Sequence, residues 1–351
     1  MFVMSVHYWV AVRSILQQLF EKVPLSIECD RDVLARNLTL RPPKEEAWGD
    51  LCSNILLLIC ADDAATRNRI APEFISALEG LDDIKGVSLS ENGYLNITVN
   101  PDYWGQQLFD IIERGASYAL ADIRPFCLEF TAFWPQKTDN LVGLRQQWNV
   151  QTLCQLAEKV GADINEAPWA GDTVQGFSSK SALSKCGETT LKLALLSRTQ
   201  DFAIDFKPLR AAERCYGNPA FSLLYANARL KALLMRPEDI SAPPDEVLLL
   251  TPVETAGLNS CLEIALAKLL CQWPLAVRRS LIEGDAMHLI SFLQEITLLF
   301  FRLYQQVGLQ SSDYLVDKEH KKARQLLLTA VKAQLCSGLD ILDVDRAEEF
   351  I

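Results

Sequence analysis

The sequence predicts three parts: an α+β N-terminal domain over residues 1–105, a remnant α/β layer over 106–206, and a C-terminal all-α helical bundle over 207–351. Three observations carry this fold class. Apolar residues between Gly86 and Val99 alternate around Glu91-Asn92-Gly93, the pattern of paired strands. One apolar run, Phe126–Phe133, is followed by one long amphipathic stretch, Leu141–Val160, which is a single strand–helix step. From Lys207 onward the apolar spacing is three and four residues throughout, as in packed helices.

The elements follow in order. Val10–Phe20 has helical spacing, Asp50–Cys60 reads as a second helix and Arg67–Leu78 as a third. The strand pair comes next, then Pro101-Asp102, then a connecting helix over Tyr103–Glu113. The strand at Phe126–Phe133 and the helix ending at Gly161 cannot close a doubly wound domain, which needs several parallel strands. Asn165–Ser184, with Gly171, Gly176 and several serines, reads as loop. Asn218–Met235 is helical. Arg236–Pro252, with four prolines, is a linker, and Glu254–Cys271, Ala286–Gln306 and Lys318–Gly338 complete the bundle.

Composition narrows the function. The 351 residues carry a formal charge of −11, of which −9 falls in the first 206 residues and −2 in the remainder. Such acidity argues against indiscriminate binding to nucleic acid, which depends on cations neutralising phosphates, and leaves room for a local patch. The ten cysteines form no CxxC pair and are expected to be reduced, structural thiols of a soluble, cytoplasmic protein. No apolar run approaches the ~20 residues of a spanning helix, so no membrane role is expected. The three histidines, His7, His288 and His320, leave residues 8–287 without an imidazole. There is no HExxH, no GxGxxG and no GxxxxGK[ST], so no metal and no cofactor is expected.

Four stretches carry a resemblance. Gly49-Asp50, Asn54, Arg69-Ile70-Ala71 and Gly93-Tyr94-Leu95-Asn96-Ile97 follow the order GD…N…IA…GFxNI. Leu128-Glu129-Phe130, Trp134-Pro135 and Leu141-Val142-Gly143-Leu144-Arg145 look like VEFxSxNP…HxGHxR, with leucine at both histidine positions. Gly187–Lys192, Leu195–Arg198 and Asp205-Phe206 are similar to GADAxR…LLSR…DFDL. Asn218-Pro219-Ala220-Phe221 leading to Tyr225-Ala226-Asn227-Ala228-Arg229 looks like NPxFYxQYAHAR, and Gly338–Leu342 resembles a terminal GLxLLGI. In this order they resemble an arginyl-tRNA synthetase with most of its class I catalytic domain missing, ending in an anticodon-binding bundle of the DALR type.

The resemblance implies a tRNA partner, with arginine tRNA the first candidate, and a surface that includes Tyr225, Asn227, Arg229, Lys318, Lys321, Lys322 and Arg324. In the family the N-terminal domain leans on the outer corner of tRNA, which adds Tyr94 and Asn96. Each has a plainer alternative. Tyr225 and Arg229, four apart on one helix face, fit a helix seam as well as an RNA contact. The lysines fit a solvated face, and Tyr94 and Asn96 fit strand packing. Phe292, Phe300, Phe301 and Tyr304 are read as core.

No catalytic residue is expected. The ATP signature needs imidazoles to stabilise charge on phosphates, and Leu141 and Leu144 supply neither donor nor charge. The expected function is a non-catalytic paralogue that binds or presents tRNA to a partner enzyme, such as a tRNA-modifying enzyme or the active synthetase, or regulates it. The alternative is a protein-interaction scaffold that has lost RNA binding; residual ligase activity with a partner stands third. A homodimer is compatible with the faces that a missing sheet would leave open.

Overall fold

A computed structural model describes residues 7–22, 37–60, 63–135, 139–169, 178–200, 204, 206–234, 258, 260–306 and 320–346. The chain divides into two compact units, Met1–Tyr103 and Trp104–Ile351.

The first described element of the first unit is α1 (Tyr8–Lys22), which buries Val12 and Leu16 completely. Then come β1 (Leu40–Arg41), β2 (Leu51–Ser53), α2 (Ile55–Cys60), α3 (Ala64–Glu79), β3 (Ile84–Leu89) and β4 (Leu95–Val99). The strands form one antiparallel sheet in the order β1-β2-β4-β3. Sequence spacing read Asp50–Cys60 as a single helix; its first residues are instead strand β2, pulled extended by pairing to β4. Asp63 starts α3 by accepting from the backbone N–H of Thr66, and that bond with the Thr66 hydroxyl holds its carboxyl below the ordinary value.

Residues of the GD…N…G pattern are fasteners of this unit. Gly49 stands at φ +106°, where an added Cβ would lie 2.7 Å from the Ile97 carbonyl oxygen. Asp50 then donates its N–H to that same oxygen and accepts from the Val99 N–H, each at 2.8 Å. Asn54 accepts from Thr39 N–H and donates to the Asn37 carbonyl, anchoring the segment that leads into β1.

Helix α4 (Pro101–Arg114) carries the division between the units. The second unit contains β5 (Glu129–Trp134), α5 (Leu141–Val160) and β6 (Asp163–Pro168), a parallel β–α–β step. Asn140 caps α5 through the Gly143 N–H at 2.8 Å, and Gly161 closes it in the left-handed region at φ +77°. Strand β6 and the next helix, α6 (Ser179–Cys186), fall where the sequence read loop. The strand is held by the β5 ladder rather than by its own pattern, since Asn165-Glu166-Ala167-Pro168 does not alternate.

Next come α7 (Glu188–Leu196), α8 (Pro219–Leu234), α9 (Cys261–Leu270), α10 (Trp273–Glu283), α11 (Met287–Gln306) and α12 (Lys321–Ile341). A capping box of Ser260 and Glu263 starts α9. The expected linker at 236–252 lies outside the described residues. Helices α11 and α12 cross closely at Gly338, where a Cβ would meet the Leu293 side chain at 2.5 Å. The α/β step is fastened to the bundle by Asn149 of α5. Its side chain donates to the Gly284 carbonyl at 3.0 Å and accepts from the Ala286 N–H at 2.8 Å.

Candidate nucleic-acid interface

The start of α8 is set by Asn218. Its amide donates to the carbonyls of Ala211 and Glu213, at 2.9 and 2.7 Å, and its oxygen accepts from the Ala220 N–H. Pro219 follows as the first helical residue, where a missing N–H costs nothing. This knot folds the preceding turn back onto the helix and carries Tyr216 with it.

Phe221, Tyr225 and Arg229 then recur every fourth residue along one face. The rings of Phe221 and Tyr225 stack, with centroids 5.1 Å apart and planes at 14°. The Arg229 guanidinium sits 5.0 Å from the Tyr225 centroid, and its Nε donates to the Tyr225 hydroxyl at 2.8 Å. That bond raises the Arg229 pKa above its ordinary value, so the group is a permanent cation. Tyr216 joins from the side, 6.1 Å from Phe221, 6.3 Å from Tyr225 and 4.5 Å from Phe301.

Burial sorts these groups by chemistry. Phe301 is 4% exposed and forms the back wall, stacked on Tyr225 at 5.6 Å. Phe292 and Phe300 are also buried, so the core reading of those rings holds. Tyr216 is 40% exposed, Arg229 is exposed, and Tyr225 and Phe221 are half-buried. Tyr225 is sandwiched between Phe221 and Phe301, so the groups that face solvent are the Tyr216 ring and the Arg229 cation, a pairing that an unpaired base and a phosphate can meet. Sequence reasoning missed Tyr216. It lies off the helix, and only the Asn218 knot brings it to the stacked rings.

The other expected positions separate. Asn227 is fully buried; it donates to the Arg346 carbonyl at 3.0 Å and accepts from the Cys336 thiol. Its place in the RNA surface is therefore corrected: it joins α8 to α12 and the segment after it. Arg324 is half-buried, and its Nε is ion-paired at 2.9 Å with Glu263, whose side chain is 1% exposed. Lys322 is exposed and Lys321 half-buried at the start of α12, while Lys318 lies outside the described residues. In the first unit, Tyr94 precedes β4 and Asn96 sits within it. Both are half-exposed, whereas Leu95 and Ile97 point inward. Tyr94 and Asn96 belong to a different unit from Tyr225 and Arg229.

The residues aligned above with the class I signature do structural work. Leu141 is 1% exposed in the first turn of α5. Arg145 is buried and donates to the carbonyls of Thr199 and Gln200. Among the described residues no group of three His, Cys, Asp or Glu side chains could hold a metal. No described helix is long and apolar enough to cross a membrane. Burial raises the thiols of Cys60, Cys127, Cys154 and Cys186, and that of Cys271 to about 12, so they stay protonated rather than nucleophilic.

Comparison with known proteins adds sequence evidence. The family profile of the DALR anticodon binding domain matches residues 223–350, and that of the arginyl tRNA synthetase N terminal domain matches residues 10–99. The arginine–tRNA ligase of Ruegeria sp. (strain TM1040) is 27% identical over 202 residues, 56% of this chain and 34% of the relative. That of Nitratidesulfovibrio vulgaris is 33% identical over 81 residues, 23% of this chain and 15% of the relative. The chain spans about a third of the length of the first of these relatives. Among solved structures, arginyl-tRNA synthetase from Plasmodium falciparum superposes with a TM-score of 0.67 at 9% identity, covering 99% of this chain and 100% of that one. The Thermus thermophilus enzyme gives 0.62 at 10% identity, covering 97% and 100%. These two likenesses are ones of fold.

Proposed function

We propose that this arginyl-tRNA synthetase-like chain, with the family's N-terminal and DALR domains, binds tRNA without charging it. In this reading it presents tRNA, with arginine tRNA the first candidate, to a partner enzyme or regulates that enzyme. The observation that carries the reading is the cluster of exposed Tyr216 and Arg229 with half-buried Phe221 and Tyr225, the last three on helix α8 and Tyr216 in the turn before it. An exposed ring and a permanent cation suit a single-stranded loop, whose bases are free to stack.

The non-catalytic half of the proposal rests on chemistry. Forming an aminoacyl-adenylate requires groups that hold ATP and stabilise charge on the transferring phosphates. In the resemblance drawn from the sequence, Leu141 and Leu144 match the histidine positions of the family signature, and Leu141 is buried. The Arg145 guanidinium is occupied with two carbonyls of its own chain.

The test is a filter-binding titration against total tRNA at low and physiological salt, with sequencing of what is retained. Salt-sensitive retention enriched in arginine tRNA is expected, alongside no arginine-dependent pyrophosphate exchange. Retention at neither salt would replace this reading with the protein scaffold, which the net charge of −11 favours.

A further inference from the structure

Among the described residues, the β5–α5–β6 step ends in an open edge. Asp163 N–H donates to the Leu128 carbonyl and Trp169 N–H to the Trp134 carbonyl, so even-numbered residues of β5 bond to β6. In a parallel ladder alternate residues turn their backbone groups to opposite sides. The N–H groups of Glu129, Thr131 and Phe133 therefore point outward, as do the carbonyls of Glu129 and Thr131. The Phe133 carbonyl accepts from Gln146 Nε2 at 3.2 Å. Among the described residues the sheet has two strands, and none pairs on this side.

Beside that edge lies a cavity of about 510 Å³, bounded by β5, by Val150 and Leu153 of α5, and by Leu281–Gly284 at the end of α10. Its rim carries Phe133, 48% exposed, and Ile282, 55% exposed. Among the described residues two carboxylates line it, Glu129 and Glu283, and no cation does. Glu283 is shared with Arg279 and His288, which leaves exposed Glu129 as the carboxylate facing a ligand.

We infer that the outer edge of β5 is a docking site for an extended segment of a partner protein that alternates apolar and basic side chains. The segment adds as a third strand on the Glu129, Thr131 and Phe133 backbone groups. One apolar side chain enters the cavity and a lysine or arginine meets Glu129. Unpaired edge groups next to an apolar hollow are what strand addition uses, and they are costly to leave bare. Charge decides against a second copy as occupant, because self-pairing would bring two acidic edges together. This inference is independent of RNA binding.

The test uses the full chain and a short acetylated peptide alternating valine with lysine and threonine. Binding is expected, with slowed amide exchange at Glu129, Thr131 and Phe133. Glu129→Lys should weaken binding about tenfold, the scale of a charge made repulsive at an interface. Thr131→Pro removes an outward N–H that the β5–β6 ladder does not use, so binding should vanish while the melting curve stays close to that of the parent. The proposal is overturned if the peptide does not bind, or binds both variants as tightly as the parent. It is equally overturned if these amides are already protected in a concentration-dependent dimer.

Discussion

Arg324 of α12 and Glu263 of α9 form an ion pair inside the bundle, 2.9 Å apart and 61 residues distant in sequence. Glu263 also caps its own helix, so one carboxylate serves the start of α9 and the α9–α12 contact together. Truncating one member of a buried pair strands the other charge and costs ~3–5 kcal/mol. Arg324→Ala is therefore expected to lower the denaturation midpoint strongly, and a melt unchanged from the parent would return Arg324 to the RNA surface. Chemical denaturation followed by circular dichroism measures this.

Arg229 and the Lys321/Lys322 pair should differ from Arg324 in kind. If Arg229 meets a phosphate, Arg229→Ala weakens tRNA binding and reduces the slope of log affinity against log salt by about 1. Tyr216→Ala removes a stacking ring instead. It should cost ~1–3 kcal/mol of affinity with the salt slope unchanged. Titrations at several salt concentrations separate the two effects, and both variants should remain folded at the assay temperature, because Tyr216 is 40% exposed and Arg229 is exposed.

Alkaline pH supplies a test of the buried thiols. Burial raises Cys271 from 9.0 to about 12 and pushes four other thiols in the same direction. A group with a raised folded pKa stabilises fully below its unfolded value, and the gain is lost as pH rises toward the folded value. Stability should thus fall between pH 9 and 12, with Cys271 contributing up to about 1.4 kcal/mol per pH unit. Urea melts at stepped pH check it, and Cys271→Ala should flatten the curve.

Much of this was legible in the sequence, and the misses have physical causes. The helices at Leu141–Val160 and Met287–Gln306 announce themselves by apolar period and by Asn140 and Gly161 at the ends of the first. Strand β6 does not, because its stability comes from a neighbour some 34 residues earlier in the chain, Glu129 pairing with Asp163. Asn227 was misplaced by motif position alone. Two residues beyond Tyr225, it lies about 200° around the helix, on the face opposite the aromatic column. The same geometry keeps Phe221, Tyr225 and Arg229 together. Tyr216 needed the fold, since nothing periodic links a turn residue to a helix face.

Lys192 of α7 is 2% exposed, and its ammonium lies 3.3 Å from the Asp343 carbonyl and 3.5 Å from the Asp343 carboxylate, 151 residues later. The Arg346 carbonyl completes Asn227 in the same way. On the ribosome, at ~5–20 residues per second, Lys192 must wait on the order of ten seconds or longer for this partner. Until then the ammonium lacks the carbonyl to which it donates in the folded protein. A truncation after Leu342 would take both Asp343 acceptors from Lys192 and leave its ammonium against the Trp148 ring, 5.8 Å from the centroid, so the second unit should lose stability.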